Sequence, residues 1–274
     1  MWWVVGFIIT FVIGGLTGVM VASVPLDLEL HDTYFVVAHF HYTLIGGAVF
    51  PLLGAITYWF PKITGRMMND RIGKLAFVLV FAGFHLTFMT MHFTGLLGMP
   101  RRVFTYPAGL GWETLNMTST VGAFVMASGV LVFLGNILAS LRRGAIAGDN
   151  PWGAASLEWA ATSPPRPYNF AHIPAVTSST PLWEESLPVF SGLRVKQREL
   201  VLTTVVEAVP DIRDPSPTPT IWPLIAALAT TGLFIWSIFS PWALVWGAIP
   251  VGIALTAWFW PKSPPRHGRE PVIE

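Results

Sequence analysis

The chain has 274 residues, of which 53% are hydrophobic and 11% charged, and its mean hydropathy is +0.58. Soluble domains carry about 25% charged residues, so this is the composition of a membrane protein. The net charge of +1 gives no sign of a nucleic-acid partner, and the absence of cysteine excludes disulfides, thiolate metal sites and cysteine nucleophiles. Any metal must therefore bind to His, carboxylate or backbone oxygen ligands.

Several apolar stretches are long enough to cross a hydrocarbon core of about 30 Å. The chain is therefore predicted to be all-α, a polytopic transmembrane helical bundle with about six spanning helices. The stretches run over Trp3–Ser23, Tyr34–Phe60, Lys74–Leu97, Asn116–Leu141, Ile221–Phe239 and Trp242–Trp260. The last two are separated only by the dipeptide SP, which predicts a tight helical hairpin.

The first stretch begins directly after Met1. It has no positively charged lead, and its apolar run of roughly 20 residues is too long for the core of a signal peptide. We interpret it as a spanning helix, and we expect further sequence to precede it.

Lys and Arg in short loops predict the orientation. The loop before Tyr34 has none, whereas the loop after Phe60 has four, so the first is predicted to be outside and the second inside. The next loop should then be outside, yet it carries Arg101 and Arg102. Two guanidiniums on that side predict a fixed anionic partner, the alternative being a pair with no specific role.

The second predicted span contains His39 and His41, in the stretch VVAHFHYTL. Residues i and i+2 of a helix point about 200° apart, so the two rings leave opposite faces. They cannot share one metal ion, because two ligands of one ion are expected at i and i+3 or i+4. The spacing suits a helix between two separate cofactors, each taking one axial imidazole. The alternative is that each ring only forms a hydrogen bond with a neighbouring helix.

Both histidines lie about 8 to 10 Å below the outer end of this span, at 1.5 Å per residue. A haem fits this position, with its iron on a histidine in the apolar region and its propionates at the paired arginines. Other polar side chains near the same end are Asp27, His31 and Asp32. The adjacent His31 and Asp32 are candidates for a metal site completed by another chain.

The remaining histidines give weaker signals. His85 and His92 are seven residues apart on one face of the third span, which favours a structural or hydrogen-bonding role for both. His172 and His267 lie in Pro-rich segments and are expected to be solvated.

Composition divides the chain into four segments. Residues 1–141 hold four transmembrane helices, 142–219 are a Pro/Ser/Thr-rich cytoplasmic segment, 220–261 form a transmembrane helical hairpin and 262–274 are a cytoplasmic tail. The second segment is expected to be mostly extended, irregular chain, in which residues 197–209 are the stretch able to pair as a strand. The sequence shows no phosphate-binding loop and no Ser-His-Asp spacing, and we assign no catalytic residue.

The segment LHDTYFVVAHFHY, residues 30–42, resembles the tenth helix of subunit I of the haem–copper cytochrome c oxidases of aa3 type. GFIITFVIGGLTGVMVAS resembles the helix before it, WFPKITGRMMND the following inner loop and HFTGLLGMPRR the next outer loop. NPWGAASLEWAATSPPRPYNF is similar to the tail of bacterial members. The resemblance covers about residues 2–170, and the later helical hairpin more loosely resembles C-terminal extensions of some bacterial subunits I.

This resemblance implies that His39 is the proximal ligand of the high-spin haem a3 and that His41 is one of two axial ligands of the low-spin haem a. It implies that Arg101 and Arg102 bind haem propionates and that Asp27 lies close to a propionate of haem a3.

The resemblance further implies that His31 and Asp32 bind magnesium or manganese near the boundary with subunit II. The implied reaction is oxidation of cytochrome c by O2, with reduction to water coupled to proton pumping. It would take place in the bacterial inner (plasma) membrane, in contact with membrane lipid and together with subunits II and III. His31, Asp32, Arg101 and Arg102 would lie on the periplasmic side.

The family has twelve core helices, and this chain resembles only the last four. The copper ligands, the second haem a ligand and the proton channels lie in the first eight, so copper is expected to be held outside this chain. We expect a truncated subunit I, or half of a split one, that requires its missing N-terminal part. Two alternatives stay open: a non-catalytic membrane or assembly fragment, and a stand-alone cytochrome b-like protein in which His85 or His92 completes a haem-binding pair.

Overall fold

The computed structural model of the chain describes residues 1–166, 170, 176, 178–184, 199–204, 210–215 and 220–260. The chain divides into two compact units. One comprises Met1–Pro164 with Thr180–Leu187, and the other comprises Pro165–Ser179 with Pro188–Glu274. The predictions for His172, His267 and the tail over residues 262–274 lie outside the described residues.

The first unit is a helical bundle. Its described helices are α1 (Trp2–Ala22), α2 (Val24–Leu30), α3 (Tyr34–Leu44), α4 (Phe50–Thr64), α5 (Asp70–Leu96), α6 (Glu113–Arg143) and the short α7 (Pro181–Glu184). A π-helical turn at Ile45–Val49 joins α3 to α4, so the two form one continuous helical segment. A 3-10 turn lies at Leu157–Ala160.

The second unit contains two hairpins. Strands β1 (Glu199–Thr203) and β2 (Pro210–Pro215) pair antiparallel, with Glu199 opposite Pro215. The strand expected within residues 197–209 is therefore present as β1. Helices α8 (Trp222–Ser237) and α9 (Ala243–Phe259) form the predicted helical hairpin.

The prediction of an all-α, multi-pass membrane protein is confirmed, apart from this small β-hairpin. Within the described residues, four helical segments are long and apolar enough to cross a membrane: Trp2–Ala22, Tyr34–Thr64, Asp70–Leu96 and Glu113–Arg143. The last two of the six predicted spans are shorter than expected. Helices α8 and α9 have 16 and 17 residues, or about 24 to 26 Å at 1.5 Å per residue. The turn around Pro241 uses residues that the sequence assigned to the spans.

The segment between the first two spans is helical, whereas the sequence predicted a loop. Helix α2 covers Val24–Leu30, with a proline in its first turn and Asp27 there as well. Proline has a preset φ that suits a first helical turn, and a carboxylate interacts favourably with the positive helix N-terminus. These two signals account for the extra helix.

The core of the first unit forms along α5, and α3 packs closely against this helix. The buried face of α3 carries Phe35, Ala38 and Tyr42. Gly95 of α5 allows the close approach, because a Cβ there would collide with the backbone nitrogen of Phe35. A cluster of buried aromatic side chains lies along α5, with members from α1, α3, α4 and α6: Trp3, Tyr42, Phe50, Phe77, Phe84, Phe88 and Phe133.

The segment after α6 folds back against α4, and we call residues 145–164 the clasp. Its anchor is Lys62, which is only 7% exposed. The Lys62 ammonium donates hydrogen bonds to the carbonyls of Asp149 (2.9 Å) and Ala161 (2.6 Å), and it lies 5.1 Å from the ring centroid of Trp159. A buried ammonium needs such partners. The clasp was expected to be extended and irregular, but its polar groups are fixed on the bundle.

The two ends of the bundle are each held together by contacts between loops. At one end, which we call the His31 end, the backbone nitrogen of Arg101 donates to the carbonyl of Asp32 over 2.8 Å. At the other, the Lys62 end, the guanidinium of Arg66 donates to the carbonyl of Gly144 over 2.8 Å. The loops therefore alternate between the ends as the sequence predicted.

Candidate functional site

His39 turns its ring toward α1. Its Nδ1 lies 3.0 Å from the carbonyl oxygen of Gly14 and 3.2 Å from Oγ1 of Thr17. A carbonyl can only accept a hydrogen bond, so Nδ1 carries a proton, and in the neutral imidazole the lone pair is then on Nε2. Histidines that bind a metal through Nε2 are held in this way by a partner of the other nitrogen.

His41 is held differently, by its own helix. Its Nδ1 lies 2.7 Å from the carbonyl oxygen of Val37, one turn earlier, and the same reasoning leaves the lone pair on Nε2. The ring stacks on Phe88 of α5 with a centroid distance of 4.1 Å and an interplanar angle of 16°. Phe40 packs against it at 4.4 Å. Each histidine is therefore fixed as the tautomer that can donate Nε2 to a metal.

The two rings lie on different sides of the contact between α3 and α5. His39 meets α1, whereas His41 meets Phe88. The residues of α3 that pack between them, on the side of α5, include Ala38 and Tyr42. The prediction that the two rings leave opposite faces of one helix agrees with these contacts, and it places two Nε2 atoms on two sides of α3.

An ion pair links the loops at the His31 end. Arg101 Nε donates to Asp32 Oδ1 over 2.7 Å, and Arg101 Nη2 contacts the same oxygen. This hydrogen bond and the charge of Arg101 hold the pKa of the Asp32 carboxyl below its usual value, with a smaller contribution from His31. The fixed anionic partner expected for the arginines is, for Arg101, a carboxylate within the chain.

The other predicted polar residues lie near this pair. Nδ1 of His31 is 3.7 Å from the second oxygen of Asp32. Arg102 is exposed, with a left-handed backbone at φ 67°, and Asp27 is half-buried in the first turn of α2. Among the described residues, no group of three or more His, Cys, Asp or Glu side chains could hold a metal ion. His31 and Asp32 thus offer an imidazole and a carboxylate, which is an incomplete donor set for magnesium or manganese.

His85 and His92 both turn toward Tyr42 of α3. The Tyr42 hydroxyl lies 2.6 Å from Nδ1 of His85, which confirms a hydrogen-bonding role for that histidine. His92 is 5% exposed and packs between Phe35 and Tyr42, and neither of its ring nitrogens has a hydrogen-bond partner among the described residues.

Sequence reasoning missed the groups that hold the two candidate ligands. The carbonyls of Gly14 and Val37 belong to the main chain, which no residue type marks. The short spacing of glycines around Thr17, in GGLTG, was the available signal for a close approach of α1 to its neighbour. Phe88 carried no signal of its own.

Comparison with known proteins gives consistent matches. Residues 1–125 match the family described as cytochrome c and quinol oxidase polypeptide I. Cytochrome c oxidase subunit 1 of Bacillus subtilis (strain 168) is 46% identical over 236 residues, which are 86% of this chain and 36% of that protein. The subunit 1 of Bacillus sp. (strain PS3) is 51% identical over 188 residues, 68% of this chain and 30% of that protein.

The chain therefore spans about a third of the length of these curated relatives. A haem–copper terminal oxidase dimer solved by cryo-EM is also similar, with a TM-score of 0.47 and 24% sequence identity over 53% of this chain and 27% of that one.

Proposed function

Residues 1–125 of the chain belong to the cytochrome c and quinol oxidase polypeptide I family, and from this premise we propose that the chain forms part of the catalytic subunit I of a proton-pumping cytochrome c oxidase. In this proposal electrons pass from cytochrome c to O2 through haem a and the haem a3–copper centre. Copper is held by residues outside this chain. The chain alone is not catalytically complete, and it works with the rest of subunit I and with subunits II and III.

The observation that carries the proposal is the state of the two imidazoles on α3. His39 and His41 leave opposite faces, and each has its Nδ1 within hydrogen-bond distance of a carbonyl, while no hydrogen bond to Nε2 is found among the described residues. A haem iron takes an axial imidazole through such a nitrogen. His39 is proposed to hold haem a3 and His41 to hold haem a. Bound haem would supply an iron that changes its oxidation state and, at the haem a3 position, a coordination site for O2.

The residues at the His31 end are proposed to bind the polar edges of the cofactors. Arg101 and Arg102 would donate hydrogen bonds to the propionates, with Asp27 close to one of them. The Asp32 carboxylate accepts from Arg101 through Oδ1, which leaves Oδ2 and His31 for a magnesium or manganese ion that is completed by a partner chain. We place this end on the periplasmic side of the bacterial inner membrane, since the Lys62 end carries the larger share of Lys and Arg.

Single-ligand variants in the assembled oxidase test the proposal. His41→Ala should abolish the low-spin haem absorption and leave the high-spin haem partly occupied, and His39→Ala should do the reverse. Leu44→Ala, an exposed position on the same helix, is the control and should change neither signal. If each histidine variant loses both haems equally, or if neither loses any, the two-faced assignment is wrong.

No specific observation favours the two alternative functions. A cytochrome b-like protein would need His85 or His92 to face the same haem as His39 or His41. Both rings instead contact Tyr42, which is directed about 100° around α3 from His41. A reduced-minus-oxidised spectrum of residues 1–274 expressed alone tests both alternatives. A stable haem band would exclude the non-binding fragment, and no haem would exclude the cytochrome b-like protein.

A further inference from the structure

Helix α1 approaches the His39 ring more closely than a side chain would allow. A Cβ built on Gly18 would lie 2.8 Å from Cε1 of His39 and 3.6 Å from both ring nitrogens. The equal distances to Nδ1 and Nε2 show that the Cε1 edge of the imidazole points directly at Gly18. Contacts of 2.8 Å are repulsive, so the observed ring position requires glycine at residue 18.

The carbonyl of Gly14, one turn earlier, and the hydroxyl of the adjacent Thr17 hold the same ring from the side. Nδ1 contacts the carbonyl of Gly14 at 3.0 Å and Oγ1 of Thr17 at 3.2 Å. The Thr17 hydroxyl donates its own proton to the carbonyls of Ile13 (3.0 Å) or Gly14 (3.1 Å), which leaves an oxygen lone pair for Nδ1–H. The ring is thus located by a steric stop at Gly18 and by two acceptors.

We propose that Gly18 and Thr17 form a seat on α1 that sets the rotation of the His39 ring, and with it the direction of Nε2. Both are positioning residues, since they act on a cofactor only through His39. This inference rests on the proposed function of His39 as a haem ligand. Partners of the nitrogen that does not bind the metal fix a ligand's orientation and raise its basicity, and the seat is such a partner set.

The seat acts on one histidine alone. Nδ1 of His41 donates to the carbonyl of Val37 in its own helix, and its ring stacks on Phe88 of α5, so neither contact involves α1. A change in the seat should therefore alter the His39 site and leave the His41 site unchanged. A general loosening of the bundle would alter both.

The experiment uses resonance Raman and visible spectra of the assembled, reduced oxidase. Gly18→Ala adds one methyl group against Cε1 and should shift the iron–histidine stretching band of the high-spin haem, while the low-spin absorption band stays in place. Gly15→Ala is the matched control, because a Cβ at Gly15 meets no atom within 4 Å. Alanine suits a helix better than glycine, so neither change is expected to weaken α1 itself.

Thr17 gives a second, milder variant if Gly18→Ala fails to assemble. Thr17→Val removes one acceptor from Nδ1–H and should lower the frequency of the same band, since the ligand becomes less basic, whereas Thr17→Ser keeps the hydroxyl and should restore it. The matched control is Thr57→Val, because the Thr57 hydroxyl donates to the carbonyl of Leu53 in its own helix and makes no other hydrogen bond within the part of the chain that the structure describes.

The outcomes separate the seat from the proposed function. If His39→Ala abolishes the iron–histidine band but Gly18→Ala and Thr17→Val leave its frequency unchanged, the proposed role of the seat is wrong and the assignment of His39 as a haem ligand stands. Equal shifts from Gly15→Ala, or a parallel change in the low-spin band, also overturn the seat. If His39→Ala leaves the band intact, the ligand assignment itself is wrong.

Discussion

The tautomers of His39 and His41 decide what these residues can bind. An imidazole offers a lone pair at Nε2 only when the proton sits on Nδ1, and in both residues a carbonyl oxygen fixes the proton there. The two carbonyls come from different sources, one from α1 and one from α3 itself. Each candidate ligand is therefore ready to bind before any metal arrives, and each depends on a different part of the chain.

The ion pair at the His31 end makes the Asp32 carboxyl more acidic than usual. A carboxyl whose pKa is lower in the folded chain than in the unfolded chain stabilises the folded state at pH values above its unfolded pKa of about 3.9. This contribution to stability is lost as the pH falls through the pKa of the folded chain. Arg101→Gln removes the main cause and should raise the pKa of Asp32 toward its usual value.

Carboxyl carbon chemical shifts of Asp32, followed by NMR from neutral to acidic pH, measure this change. Arg102→Gln is the control, since the next arginine makes no ion pair with Asp32. An Asp32 pKa that is the same with and without Arg101 would show that the contact does not persist in solution.

At the scale of the helices, the close packing of α6 against α5 requires glycine at the point of contact. A Cβ on Gly129 would lie 2.6 Å from the backbone nitrogen of Val80, whereas one on Gly135 of the same helix meets no atom within 4 Å. Overpacking costs about 1 to 3 kcal/mol, and alanine gains up to about 1 kcal/mol over glycine in a helix.

Gly129→Ala should therefore lower the stability of the bundle, and Gly135→Ala should leave it unchanged or raise it slightly. Thermal unfolding in detergent, followed by circular dichroism, compares the two. Equal midpoints for the two variants would contradict the close packing of α5 on α6.

The sequence predicted most of the helices but not their ends or their interruptions. Long apolar runs identify spans because length alone matches the hydrocarbon core. Helix α2 was missed because Val24–Leu30 lies in a short connection with no apolar run, and the π-turn at Ile45–Val49 leaves hydropathy unchanged. The clasp was missed because its anchor, Lys62, is bound by carbonyls that no side chain reveals.

The candidate site, like the helices, was predicted only in part. The spacing of His39 and His41 was enough to place them on opposite faces, because helix geometry fixes the angle. The pairing of Asp32 with Arg101 was not predicted, since the two residues are 69 positions apart and only the packed loops bring them together.

At the scale of the whole molecule, the proposed orientation can be tested because the chain has no cysteine. Phe104 is 99% exposed near the His31 end and Ile146 is 87% exposed near the Lys62 end, so each accepts a single reporter cysteine. In intact spheroplasts, a membrane-impermeant maleimide should label Phe104→Cys, and it should label Ile146→Cys only after permeabilisation. The reverse pattern, or labelling of both in intact spheroplasts, would contradict the orientation.

The bond between Lys62 and the clasp also sets an order of events during synthesis. The carbonyl of Ala161 lies 99 residues after Lys62 in the chain. Ribosomes add roughly 5 to 20 residues per second, so the Lys62 ammonium emerges roughly 5 to 20 seconds before this partner exists. During that interval its charge must stay in contact with water or lipid headgroups. The end of α4 can therefore close only after α5 and α6 have been made.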